Sequence, residues 1–250
     1  MQPVKSVGEL KCHVRGIFKM RGILFKPDMI QASVEGRKTN TRRAEAGLKE
    51  INKEPDSYYN PFPSYDGTWG FHYKDYMNKI VYVKPHYQVG ETVYIKEAWY
   101  YDMFPQEITD GIRDKKAVYY RLDGEASEQF ECWSDFEGWQ SPLFMPEWAA
   151  RYFPVITDVR AERLQEITFD DCLAEGIVDS PFWVNPNYEA DKLKRDYAKD
   201  CPGETPSEDG IDEGWNEYAH QVFRNLWNSI NKEKWESNPW VFAYTFRIKR

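Results

Sequence analysis

Apolar and polar positions along the chain repeat at a period of two in some segments and at helical spacing in others, and follow no period in three long stretches between them. Gly22-Ile23-Leu24-Phe25 reads as a short strand. Pro27-Asp28 then opens a helix in which Met29, Ile30 and Val34 recur on one face. Gly36 closes it, because glycine takes the left-handed conformation that ends a helix without a side-chain clash. Gly90-Glu91 leads into a strand predicted over Thr92 to Trp99, with Val93 and Ile95 toward the core. Pro154 to Leu164 alternates β-branched and polar residues, which predicts a strand with one exposed face. Thr168 to Asp171 reads as a capping box for a short helix that Gly176 stops. A longer helix is predicted over Asn216 to Ile230, its apolar side carrying Val222, Phe223, Leu226 and Trp227. Trp240, Phe242, Tyr244, Phe246 and Ile248 fall at period two, so a strand ends the pattern.

The unpatterned stretches lie at about 44–88, 100–140 and 180–214, and are rich in Pro, Gly, aromatic and acidic residues. They read as insertions in a single domain over 21–250, with 1–20 as an amino-terminal extension. Two candidate strands interrupt them, Ile80–Val83 and Ala117–Tyr120. The fold class this predicts is α+β, mainly β, with flanking short helices and large loop insertions.

Charge narrows the function classes. The chain carries 33 Lys and Arg against 41 Asp and Glu, a formal net charge of -8. A protein that coats duplex nucleic acid would be basic, so the balance favours a small ligand or a locally positive pocket. Cys12, Cys132, Cys172 and Cys201 stand far apart with no Cys-x-x-Cys pair, which reads as reduced thiols with neither metal site nor cofactor implied. No apolar run is long enough to cross a bilayer and none resembles a leader, so a cytoplasmic protein with no membrane partner is expected; oligomeric state is left open.

The densest candidate chemistry is Gly36-Arg37-Lys38-Thr39-Asn40-Thr41-Arg42-Arg43, with four cations and two hydroxyls in eight residues. Following a glycine stop, it is expected to be a presented loop. Such a loop suits an anionic or polar ligand through planar Arg donors, a compact Lys charge and Thr hydroxyls. A solvated charged face is the competing reading. Glu97, beside Trp99, is expected to be a cross-strand partner for a Lys or Arg, and Tyr94 and Trp99 to be core residues that could also stack on a base.

Several separated segments together resemble the ASCH domain, of the PUA-like class of β-barrels. They are Ile23-Leu24-Phe25, Glu35 through Arg43, Val89-Gly90-Glu91-Thr92-Val93-Tyr94-Ile95, Asp158-Val159 through Gly176, and Asn238-Pro239-Trp240-Val241. The chain is similar in more detail to ASCH-like proteins of phages and prophages, including Met145 through Arg151 and Phe223 through Trp227. The resemblance covers roughly half of the chain and leaves the insertions outside it. It implies a small barrel that binds a nucleoside, a modified base or RNA.

Characterised bacterial ASCH enzymes hydrolyse the acetyl amide of 4-acetylcytidine with a Lys, a Thr three residues later and a Glu near the end of a helix. On this chain those residue types fall on Lys38, Thr41 and Glu175. The resemblance thus implies an amidohydrolase in which Thr41 attacks, Lys38 serves as base or oxyanion donor and Glu175 shuttles a proton. Arg37, Thr39, Arg43 and Trp99 are the ligand-binding candidates. The alternatives are a non-catalytic module that reads RNA or a modified base through the same pocket, and a phage interaction protein using its aromatic insertions.

Overall fold

The computed structural model describes residues 20–74, 79–101, 118–124, 138–177, 208–232 and 234–248, with side chains of the long helix described from residue 217. Most of the expected extension 1–20 and of the stretch 180–214 lies outside the described residues, as do Cys12, Cys132, Cys201 and Ala117. The described part is mixed α+β, mostly strands in several small sheets with few helices.

Strand β1 (Gly22–Leu24) leads to helix α1 (Pro27–Val34) and then to β2 (Asn40–Arg43). The last described strand, β10 (Trp240–Ile248), lies between β2 and β9 (Pro154–Arg163) and runs antiparallel to both. Thr41 pairs with Tyr244, which pairs with Val159; Arg42 pairs with Ala243, which pairs with Arg160. Because successive residues point to opposite faces, Thr41 and Arg43 share one face of β2 while Asn40 and Arg42 share the other.

The strands predicted at 22–25, 92–99, 154–164 and 240–248 fall into two sheets. β1 pairs in parallel with β6 (Tyr94–Lys96), and main-chain bonds then tie the β6 segment to the start of β9: Val93 N to Pro154 O at 2.9 Å, Ile95 N to Tyr152 O at 3.0 Å and Ile156 N to Glu91 O at 2.9 Å. No closed barrel is found among the described residues. Between β1 and β2 a side chain takes the place of a ladder, Arg43 Nη2 donating to Leu24 O at 2.8 Å.

The stretch 44–88 is more regular than its sequence indicates. Besides β5 (Ile80–Val83) it holds β3 (Tyr58–Pro63) and β4 (Trp69–Tyr73), ordered β3-β4-β5. Two prolines and a left-handed Asn60, where the register shifts, hide β3 from pattern reading. An edge strand tolerates them because its outer N–H groups need no partner. Phe71 and Trp69 anchor this sheet on β10, edge-on to Trp240 at 5.3 Å and Phe242 at 6.5 Å. The strand predicted over Thr92 to Trp99 breaks at Glu97, and β7 (Trp99–Tyr101) turns away to pair with β8 (Val118–Tyr120).

Helix α2 (Phe169–Ala174) is capped by the Thr168 hydroxyl, which accepts from Asp171 N at 3.2 Å. Helix α3 (Glu208–Ile230) starts earlier than its apolar pattern predicts. It covers the face of β10 opposite to Phe242 and Tyr244, so Val241 packs with Leu164, Val222, Phe223 and Leu226 in a second core. β10 is therefore buried on both faces, although its alternation reads as one-sided. Each large apolar side chain so buried contributes about 1.5–3 kcal/mol.

Candidate functional site

Two glycine-stopped helices bring the site together. After α1, Gly36 takes φ +83°, and Arg37 N and Lys38 N both donate to Ala32 O, turning the chain back over the helix end. After α2, Gly176 takes φ +76°. Thr39 N donates to Ala174 O at 2.8 Å, and Lys38 and Glu175 form an isolated antiparallel bridge. A side chain at 176 would be strained and obstructed, since a Cβ there would sit 2.8 Å from Lys38 Cβ and 3.2 Å from Ala32 Cβ.

The bridge aligns the Lys38 and Glu175 side chains. Lys38 Nζ donates to Glu175 Oε2 at 2.7 Å, Glu175 O at 2.9 Å and Asn40 O at 2.8 Å. Three oxygen acceptors around one nitrogen take all three protons of an ammonium, so Lys38 is charged at rest. Its side chain is only 1% exposed. Burial pushes its pKa below the ordinary lysine value, and the Glu175 carboxylate opposes that push.

Arg42, on the other face of β2, is the hub of the network. It is ion-paired to Glu162 Oε1 at 2.6 Å, Asp171 Oδ2 at 2.8 Å and Glu175 Oε1 at 3.2 Å. Arg160 Nη2 lies 3.0 Å from Asp171 Oδ1, which also accepts from Asn40 Nδ2 at 3.0 Å. Burial works against the Arg42 charge, but Glu175, Glu162 and Asp171 overcome it and hold the guanidinium more firmly than usual. Burial also opposes ionisation of Asp171, yet Arg42 and Arg160 bring its pKa below the ordinary value. Burial raises Glu162 despite Arg42. The formal charges of Lys38, Arg42 and Arg160 match those of Glu162, Asp171 and Glu175, so the cluster is self-neutral.

The expected presented loop is thus not one. Asn40 to Arg43 form a strand, and Lys38, Asn40, Thr41 and Arg42 are buried. The cations there are not displayed but paired with the buried Glu175 and the half-buried Glu162 and Asp171; a buried charge left unpaired would cost several kcal/mol.

A cavity of about 270 Å³ lies along the outer edge of β2, between the β1–α1 turn and the end of α3. Lys38, Thr41, Arg43 and Glu175 line it, together with Arg42, Phe25, Met29 and the α3 residues Phe223 and Trp227. The Thr41 hydroxyl makes no hydrogen bond with another described residue, which leaves it available to a ligand. Phe25 forms an apolar wall, with Lys38 Nζ 5.3 Å and Arg43 Cζ 5.6 Å from its ring centre.

The remaining ligand candidates lie elsewhere. Arg37 is ion-paired to Glu35 at 2.5 Å and Thr39 lines a different cavity, with Arg151 and Phe246. Trp99 sits in a third core cluster, edge-on to Trp148 at 5.8 Å. Neither Arg37 nor Trp99 lines the cavity beside Lys38. Glu97 has the cationic partner its position implies: Arg151 embraces it at 2.9 and 2.8 Å and also binds Asp123.

No family model, curated protein or solved structure matches the chain. Sequence reasoning passed over Arg42, Glu162 and Asp171 as members of the network, and Phe25 as a cavity wall. Two signals were available for the network. Asp171 and Glu175 are four residues apart and so share one helix face, and Arg160 and Glu162 alternate on one face of a strand. Cys172, which lies between Asp171 and Glu175 in sequence, is buried and burial pushes its thiol up to about 12, which makes it unreactive.

Proposed function

We propose that the protein binds a single nucleobase or nucleoside in the cavity at the edge of β2 and hydrolyses an acyl amide on a modified, cytidine-like base. One observation carries this reading: Lys38 Nζ and Glu175 Oε2 lie 2.7 Å apart in the wall of a cavity that Thr41 also lines. Those are the three positions that the ASCH resemblance singles out, drawn from residues 137 apart in the chain. A PUA-like β-barrel is the architecture proposed with it, and the main-chain bonds from β6 to β9 support a continuous curved sheet.

The cavity's volume, near the small end of ligand pockets of about 300–1,000 Å³, suits a base better than a strand. Phe25, Phe223 and Trp227 offer aromatic surface, where stacking contributes about 1–3 kcal/mol per base. In the reaction, the Thr41 hydroxyl attacks the acyl carbon and its proton passes to the Lys38–Glu175 pair. The same pair protonates the departing amine, and water then cleaves the threonyl ester. Burial of Lys38 lowers the cost of its passing a proton to Glu175 and becoming a base.

A non-catalytic reader is the second reading, and one observation favours it. All three Lys38 protons are already committed, which makes the ammonium a fixed donor. Incubation with a panel of N4-acylated cytidines decides between the two. Release of free acid that is lost in Thr41→Val supports the enzyme. Saturable binding without release supports the reader, and neither binding nor release sinks both.

A further inference from the structure

The cavity beside Lys38 does not stop at Arg43. A second cavity, of about 440 Å³, lies on the far side of that side chain, and Leu24, Arg43 and Asn231 line both. Its charges are unbalanced where those of the neighbouring network are not. Arg43, Lys84 and Lys96 line it against a single carboxylate, Glu45, leaving three positive charges to one negative on a chain that is acidic as a whole.

Glu45 is moreover already engaged. One oxygen accepts from the Tyr244 hydroxyl at 2.5 Å and the other from His86 N at 2.8 Å. Arg21, which reaches His86 O from the side, is offset by its own ion pair with Glu91. The cations are less committed. Arg43 spends Nη2 on Leu24 O, but its solvent-shielded Nε has no hydrogen-bond partner, and no described carboxylate pairs with it. Lys96 gives one proton to Leu143 O at 2.8 Å and keeps two. Lys84 is exposed and has no ion pair among the described residues.

We propose that this second cavity is a phosphate subsite, so that the ligand is a nucleotide: the base lies beside Lys38 and Thr41, and its phosphomonoester reaches past Arg43 to Lys84 and Lys96. This assignment rests on the base-binding reading of the first cavity. Three cations approaching one cavity from β2, from the segment after β5 and from β6 match a dianion with three acceptor oxygens better than a carboxylate, which has two. The acidic surface argues for one terminal phosphate over a long polyanion.

Cytidine and cytidine 5′-monophosphate, titrated calorimetrically at low salt, test the proposal. The nucleotide is expected to bind about tenfold tighter than the nucleoside. That ratio should fall toward one in Lys84→Glu and in Lys96→Gln. Inorganic phosphate, followed by the resonances of Arg43 Nε–H and the His86 ring, is the probe that needs no base. If cytidine binds and the phosphate adds nothing, the subsite is wrong and the base reading survives. If neither cytidine compound binds but phosphate shifts both resonances saturably, and Lys84→Glu removes the shift, the subsite stands and the base reading falls. Phosphate that moves neither resonance overturns the subsite, and so does an oligocytidylate whose affinity grows with length and collapses steeply with salt.

Discussion

Two buried acidic side chains, Glu175 and Glu97, are each held by an arginine, and only one of them lies in a candidate site. Glu97 is 1% exposed, Arg151 embraces it, and Asp123 completes the cluster. Glu175 is 4% exposed and shared between Lys38 and Arg42. By burial and pairing alone the two are equivalent. Burial raises Glu97 while Arg151 opposes it, a perturbation of the kind that marks functional groups and structural ones alike. What separates them is the surroundings. Beside Glu175 there is a cavity, a Thr41 hydroxyl with no hydrogen bond to another described residue and a lysine that burial has made easier to deprotonate. A buried ion pair becomes chemically useful when something next to it is left uncommitted.

The sharpest way to break this comparison is to remove the hub. Arg42→Met strands Glu162, Asp171 and Glu175 with too few cations, and should cost about 3–5 kcal/mol in urea unfolding. A loss under about 1 kcal/mol would mean that the network is not what holds β2, β9 and α2 together. Lys38→Met comes next, because Glu175 keeps Arg42. We expect a loss of about 1–3 kcal/mol together with loss of turnover or binding. A side chain this buried cannot be treated as a surface position, so ligand assays on the variant need a stability measurement beside them.

Glu97→Gln should cost about 1–2 kcal/mol, since Arg151 is partly exposed and retains Asp123. Ligand affinity should not change; if it does, the two clusters are coupled and the contrast between them fails. Thr41→Val should move stability by less than about 1 kcal/mol, because no described hydrogen bond is lost, while abolishing acyl release if the enzyme reading holds. A Thr41→Val protein with full turnover would remove Thr41 as nucleophile.

The smallest expected effect is in pH. The Lys38 pKa is lowered in the fold from 10.5, so between its folded value and 10.5 the unfolded chain binds more protons. Its contribution to stability therefore rises with pH across that window. The stability of the wild type minus that of Lys38→Met should increase as pH approaches 10.5, and in a Glu175→Gln background the rise should begin at lower pH. A flat difference would show that burial does not perturb Lys38.

Period-two patterning marked β10 because Trp240, Phe242, Tyr244 and Phe246 all enter one core, and β9 because Val159 and Ala161 enter it too. The glycine stops at Gly36 and Gly176 were legible because a left-handed turn leaves few other choices. The contact between those stops was not legible, because periodicity says nothing of which helix end meets which. Lys38 and Glu175 came together in the reading only through the ASCH resemblance. The burial of Lys38 and Arg42 was misread for a physical reason: a charge run looks solvated unless its counter-charges are known, and Glu162 and Asp171 lie far away in sequence. β3 was missed because an edge strand can carry prolines that would exclude it from the middle of a sheet.

The place of β10 also has a consequence for how the chain is made. β2 leaves the ribosome some two hundred residues before its partner strand, the last of those described. Throughout that interval Lys38 and Arg42 have no sheet to bury them and remain hydrated side chains on a nascent polypeptide. Contacts this distant form late, after a large loss of chain entropy. The cavity at the β2 edge should therefore appear all at once, when β10 slides between β2 and β9. A polypeptide halted before Trp240 would carry every proposed catalytic group and no site.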